Sequence, residues 1–321
     1  MRRSIKSTLV SMLGAAVGFV SSATATDYYV SPSGSDTNDG KTPKTAWSIE
    51  KVARTNFQPG DIISLDDKQV FSDTMRIQCS GTATSPVIFM DGKIVAKGRE
   101  KVGIYLKNCS NVQLKNIKVQ SSEDGGILLS QIGDGCKNIS FNNIEVFNCN
   151  QYGFKGANPN DTNITLENCT FENISDSIID FRGKSITLKN NRIRGNGIRP
   201  AIGLYGVQKA VIEGNEISTL VAPKPIFLEM KPRIPELITD RNTWKVPRTH
   251  YEGFIVDGKY MSLSDMARYT NNFKTDNKPG LMNPTPQLPQ VQPQGYQTNT
   301  PTIPLTPLQK ALQNLRQRQG R

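Results

Sequence analysis

Histidine is almost missing: His250 is the only one in 321 residues. A His-rich metal site is thereby excluded, and a Ser-His-Asp hydrolase would rest on that single residue. Cysteine is scarce too, five in all, far too few for a disulfide scaffold. Aromatic residues make up 7% of the chain and hydrophobic residues 36%. Beyond the first 25 residues no apolar run is long enough to span a bilayer, which excludes a later transmembrane helix. Yet Ile, Val, Leu and Phe recur regularly along most of the length, so the bulk of the chain is not disordered.

What is present divides the chain into parts. Arg2, Arg3 and Lys6 precede the apolar run Thr8 to Val20, and Ala23-Thr24-Ala25 fits a cleavage site. Residues 1–25 therefore read as a signal peptide, and the mature protein as exported, to the periplasm or the exterior of a bacterium. At the other end, residues 285–321 hold six Pro and nine Gln and no acid, a composition that cannot build a core. The formal charge of +11 is concentrated at these ends. Residues 26–284 carry 32 basic and 28 acidic side chains, so the excess says little about a polyanion-binding body. The tail is a separate cationic segment, able to touch a membrane surface or another protein. No nucleic-acid signature accompanies the charge.

Between the ends lies a repeat of the form Leu-x-Asn-x-x-Val. It occurs around Asn116, Asn143, Asn168 and Asn190, with a weaker copy at Gly214, at spacings of 27, 25, 22 and 24. Such a period marks a solenoid. Apolar residues alternate within each unit, so the units are strands. The pattern predicts an all-β, single-stranded right-handed parallel β-helix of about eight turns. Asn at each turn can take the left-handed backbone conformation and bond to its counterpart one turn away. Residues 26–60 read as an N-terminal cap with a short helix over Trp47 to Arg54, and 61–284 as the β-helix. Cys109 and Cys136 fall on equivalent positions of adjacent turns, at a separation that permits a disulfide. Asp36-Thr37-Asn38-Asp39-Gly40 has a calcium-loop look, but Lys41 stands where an EF-hand needs glycine, and no specific calcium motif is found.

The second strand of each turn can be aligned as Ile104–Lys107, Ile127–Ser130, Phe154–Ala157, Ile179–Arg182, Ile202–Tyr205 and Ile226–Glu229. Alternation then sends two columns outward. One is Tyr105, Leu128, Lys155, Asp180, Gly203, Phe227. The other is Lys107, Ser130, Ala157, Arg182, Tyr205, Glu229.

Tyr28-Tyr29-Val30-Ser31-Pro32-Ser33-Gly34-Ser35-Asp36, Trp47-Ser48-Ile49, Pro59-Gly60-Asp61-Ile62-Ile63 and Ser80 to Ile88 resemble the opening segments of secreted right-handed parallel β-helix proteins. Asp240-Arg241-Asn242-Thr243-Trp244 and Ser262-Leu263-Ser264-Asp265 resemble the closing ones. The likeness is to the pectate-lyase-like and chondroitinase-B-like lyase and epimerase superfamily, over about residues 27–284. It implies an acidic polysaccharide as partner. The Arg-His-Gly, Asp-Pro-His-Asp and Asn-Thr-Asp/Gly-His-Gly motifs of individual families are not in this chain. Their catalytic residues therefore do not carry over.

The chemistry must be read from the columns. Elimination from a uronate needs cations to neutralise the sugar carboxylate and a base to remove the C5 proton. Lys155 and Arg182 suit the first role. Tyr205 suits the second if Arg182 lowers its pKa, while a Lys155–Asp180 pair would spoil Lys155 as a base. Asp180, Glu229, Lys107 and Tyr105 stand beside them as substrate-binding candidates. An inverting hydrolase using Asp180 with Glu229 is the second reading. A non-catalytic polysaccharide-binding or assembly protein is the third.

Overall fold

The computed structural model describes residues 24–97, 102–120, 124–196, 199–219, 226–246, 252–269 and 278–281. The proposed signal peptide (except Ala25 and Thr24), His250 and the 285–321 tail lie outside them. From Ile62–Leu65 to Phe254–Val256 the chain visits three sheets in strict rotation, eight times over. We call them A, B and C in the order each turn meets them. Every sheet has nine strands, all pairings being parallel except the last in sheet C, where Phe254–Val256 meets Lys259–Met261 antiparallel. This is the parallel β-helix that the repeat predicts.

The register follows from the alternation in the sequence. In sheet A, Val112, Ile139, Ile164, Ile186 and Ala210 stack on one another, and so do Leu114, Phe141, Leu166, Leu188 and Ile212. All are buried, each inward side chain packing on its equivalent about 4.8 Å away. The core is thus a narrow column, which is why so small a hydrophobic fraction suffices.

The turns are held by asparagine. Asn116, Asn143, Asn168 and Asn190 all have φ between 54° and 55°, with Gly214 at 66°. The Asn143 amide donates to Asn116 Oδ1 at 2.9 Å, as expected for a ladder. Two more ladders run along other corners, through Asn111, Asn138 and Asn163, and through Asn148, Asn173 and Asn196. A fourth is buried. The Asn215 amide donates to Leu188 O and Asn242 Oδ1, while its own Oδ1 accepts the backbone and side-chain N–H of Asn191. Higher in the same interior column stand Cys169, Ile144 and Ile117.

The ends are closed. Tyr28 stacks on Trp47 with ring centroids 4.3 Å apart, and the Trp47 indole donates to Asn38 O. The cap helix is shorter than expected, Ile49–Val52, preceded by a 3-10 turn at Pro43–Thr45. Asp36, in the calcium-like segment, accepts hydrogen bonds from Ser48 and Arg54 and so serves as a polar cap turn. The helix Leu263–Tyr269 follows the antiparallel hairpin at the other end.

Candidate functional site

The outer faces of sheets A and B carry opposite charges on adjacent turns: Lys118 with Glu145, Lys189 with Glu167, Arg194 with Glu216, Lys209 with Glu236. These are solvated pairs, each worth about 0–1 kcal/mol. Sheet C differs. Its first outward column runs Arg76, Tyr105, Leu128, Lys155, Asp180, Gly203, Glu229. The second includes Arg182, Tyr205 and Lys231 at successive turns. Lys107 and Ser130 continue it upward, as their backbone N–H groups bond to the turn above.

The aligned columns hold as far as Gly203, and the last turn corrects them. Gly203 pairs with Glu229 and Tyr205 with Lys231. Glu229 therefore belongs to the first column, and Phe227, expected to point outward, is buried in the core. The cause is spacing: 26 residues separate Gly203 from its partner, two more than the alignment assumed.

Three tyrosines on this face each lie against a cation. Arg76 sits over the Tyr105 ring at 5.3 Å, Lys155 over Tyr152 at 5.4 Å and Arg182 over Tyr205 at 5.3 Å. Among the described residues neither Arg76 nor Lys155 forms an ion pair. The Tyr105 hydroxyl donates to Ser130 Oγ at 2.8 Å. Tyr105, Leu128, Ser130, Ile132, Tyr152 and Lys155 line a cleft of about 300 Å³. Two hollows of about 330 and 400 Å³ lie beside the N-terminal cap, the first with Ser31 and Asp66 already bonded to each other.

One turn further, Arg182 Nε and Nη2 donate to Asp180 at 3.2 and 3.4 Å. The expected Lys155–Asp180 pair does not form, although the two residues are register partners. Asp180 is 7% exposed and needs a bonded cation, and the fork of Arg182 on its own strand supplies it. Tyr205 lies across Gly203, where a Cβ would come within 2.8 Å of the ring and hydroxyl, and donates to Glu229 Oε2 at 2.8 Å. This placement overturns the premise of a lowered phenol pKa. Burial, then the Glu229 hydrogen bond, push the Tyr205 phenol up, and Arg182 offsets them only in part.

Sequence reasoning missed Arg76, whose strand Met75–Ile77 lies above the recognisable repeat. It also missed what braces the loop behind Ile132. Asn158 Nδ2 donates to Gly133 O at 2.9 Å, and Asp161 Oδ1 accepts Cys136 N–H at 2.7 Å. Both side chains are buried. Burial pushes the Asp161 carboxyl up to about 6, against the two backbone N–H groups that favour its anion.

A folded pKa above the ordinary 3.8 means that the native state binds the proton more tightly. The stability penalty of this carboxylate is thus full above about pH 6 and is relieved as pH falls towards 4. We expect Asp161→Asn to flatten this limb of the stability–pH profile, by on the order of 2 kcal/mol between pH 7 and 4. Urea unfolding of both proteins across that range checks it, and parallel profiles would refute it.

The cysteines are buried. Cys109 and Cys136 stack as expected, with their thiols in hydrogen-bonding contact, but they are free thiols in the structure, and Cys79 extends their column.

With this geometry in hand, the repeat region can be matched. Residues 86–228 fit the family model described as "Periplasmic copper-binding protein (NosD)". The match spans just under half of the chain. No curated protein sequence matches. Among solved structures, a GH136 lacto-N-biosidase from Eubacterium ramulus is similar at 13% identity and a TM-score of 0.46, over 72% of this chain and 57% of the other. The chain thus spans little more than half of that protein. A pectate lyase matches at 15% identity and 0.40, over 73% of each chain. A rhamnogalacturonan lyase matches at 15% and 0.42, over 68% of this chain and 74% of the other.

Copper in the NosD description calls for a test against these residues. Among the described residues no three His, Cys, Asp or Glu side chains are grouped to hold a metal ion. The thiol column does not fit either. Its contact with Cys109 and burial push the Cys136 thiol well above its ordinary range, away from the thiolate that a soft metal needs.

Proposed function

We propose that this exported protein binds an acidic polysaccharide along sheet C and cleaves it by β-elimination. The observation that carries this reading is the row of three cation-on-tyrosine contacts along sheet C, two of whose cations, Arg76 and Lys155, form no ion pair among the described residues. A uronate polymer offers apolar C–H faces for the rings and carboxylates for the cations. The roles differ from those read in the sequence. With Asp180 held by Arg182, Lys155 is free of its register partner, and we assign its neutral amine to take the C5 proton. Arg182 neutralises the sugar carboxylate. Tyr205, which keeps its proton at neutral pH, donates to the departing 4-oxygen. Lys107, Tyr105, Asp180 and Glu229 line the path as binding residues.

The folded mature protein, incubated with defined uronate polymers, should release oligosaccharides with the ultraviolet absorbance of an unsaturated uronate. New reducing ends without that absorbance would instead support an inverting hydrolase. That second reading draws on Asp180 and Glu229, which share a column two turns, about 10 Å, apart. Binding with no change in chain length would leave a binding protein.

A further inference from the structure

The cleft beside Lys155 has one wall that the catalytic proposal does not use. Ile132 stands at its rim with 64% of its surface exposed, a large apolar side chain facing water. Leu128 points outward from the centre of the same face, where the neighbouring turns carry Tyr105 and Lys155. Ala157 completes a patch that is apolar although it lies outside the core.

This patch is held firmly. Ser130 Oγ accepts the Ile132 N–H at 3.1 Å while taking the Tyr105 hydroxyl on its other side. From the turn above, Asn108 Oδ1 accepts Asp134 N–H at 2.9 Å. From the turn below, Asn158 and Asp161 hold Gly133 and Cys136. Single exposed hydrophobic residues are common on proteins and need no function. An exposed isoleucine in a loop held at several points, lining one cleft with Leu128, Tyr105 and Tyr152, is a preformed apolar notch. A cation stands next to it in Lys155, and Gln131 supplies an amide at its edge.

We infer that this notch receives an O-acetyl group carried by the acidic polysaccharide. The methyl group would rest on Leu128 and Ile132, the ester carbonyl would accept from the Gln131 amide, and the acetylated sugar would lie beside Lys155. A bare uronate has no group of this kind to place there. The inference rests on the proposed binding of acidic glycan to sheet C, and names which acidic glycans that face prefers.

The test uses the mature protein, naturally O-acetylated polygalacturonate, and the same sample after mild alkaline removal of the esters. Binding is measured by titration calorimetry. We expect the acetylated polymer to bind about five- to tenfold more tightly, the gain for burying one methyl group and its neighbouring carbon. Ile132→Ser and Leu128→Thr should each remove most of that preference and leave affinity for the de-esterified polymer unchanged, with circular dichroism confirming the fold. Equal affinity for the two polymers would overturn the acetyl assignment but leave the sheet C reading standing. Failure to bind either one would overturn both. A rhamnose-containing acidic polymer bound more tightly both before and after alkali would reassign the notch to a deoxy-sugar methyl group, and so also refute the ester.

Discussion

Replacing Asn215 by alanine should destabilise the protein by about 3–5 kcal/mol, although no hydrophobic group is lost. The side chain is 1% exposed and joins three turns. Removing it strips Leu188 O of its side-chain donor and Asn191 of the acceptor for its backbone N–H. Each buried group left unsatisfied costs about 1–3 kcal/mol. Water cannot make up the loss in a column this narrow. Asn138 offers the contrast. It lies in an exposed ladder at φ 55°, so Asn138→Gly keeps the backbone conformation open and lets water replace the amide. That change should cost less than about 1 kcal/mol. Thermal and urea unfolding of the two variants measures both. Equal effects would mean that the buried ladder adds no more than the surface one.

The second large effect concerns activity. Tyr205→Phe should lower turnover of an acidic polysaccharide by about a hundred- to ten-thousand-fold, the range for losing a general acid. Stability should change by no more than about 1 kcal/mol, since one half-buried hydrogen bond to Glu229 is lost. Affinity for the polymer should hold, because the ring and its Arg182 contact remain. If turnover survived in Tyr205→Phe, another group would be the proton donor and the assigned roles would fail. Because the phenol is kept protonated by burial and Glu229, the activity profile should show no Tyr205 titration near neutrality.

Much of this fold was legible in the sequence because a parallel coil repeats its constraints. Asn116, Asn143, Asn168 and Asn190 announce the turn, and alternation between them fixes which side chains face inward. That is enough to place Tyr105, Leu128, Lys155, Asp180 and Gly203 in one column. The alignment slipped at Glu229, where the turn lengthens and no asparagine marks the corner. It also could not choose between partners. Asp180 has Lys155 beside it on one turn and Arg182 two residues along its own strand, and only side-chain geometry decides for Arg182. The Tyr205 phenol shows the same limit. A nearby guanidinium is visible in the sequence, whereas the glycine slot that buries the ring and the Glu229 acceptor become visible only in three dimensions. The brace formed by Asn158 and Asp161 was hidden for another reason: it lies in a loop between strands, outside the repeating pattern.

The regular stacking of sheet C has a consequence for how such a protein can change over time. Each turn touches mainly its two neighbours, so one coil can be gained or lost with little disturbance to the rest. Along the face, that amounts to lengthening or shortening a ruler by a single graduation. Its graduation, close to 5 Å, is comparable to the length of one sugar unit. On the proposed reading, copying coils would tune how many sugars are gripped, while the residues assigned to the reaction stay where they are.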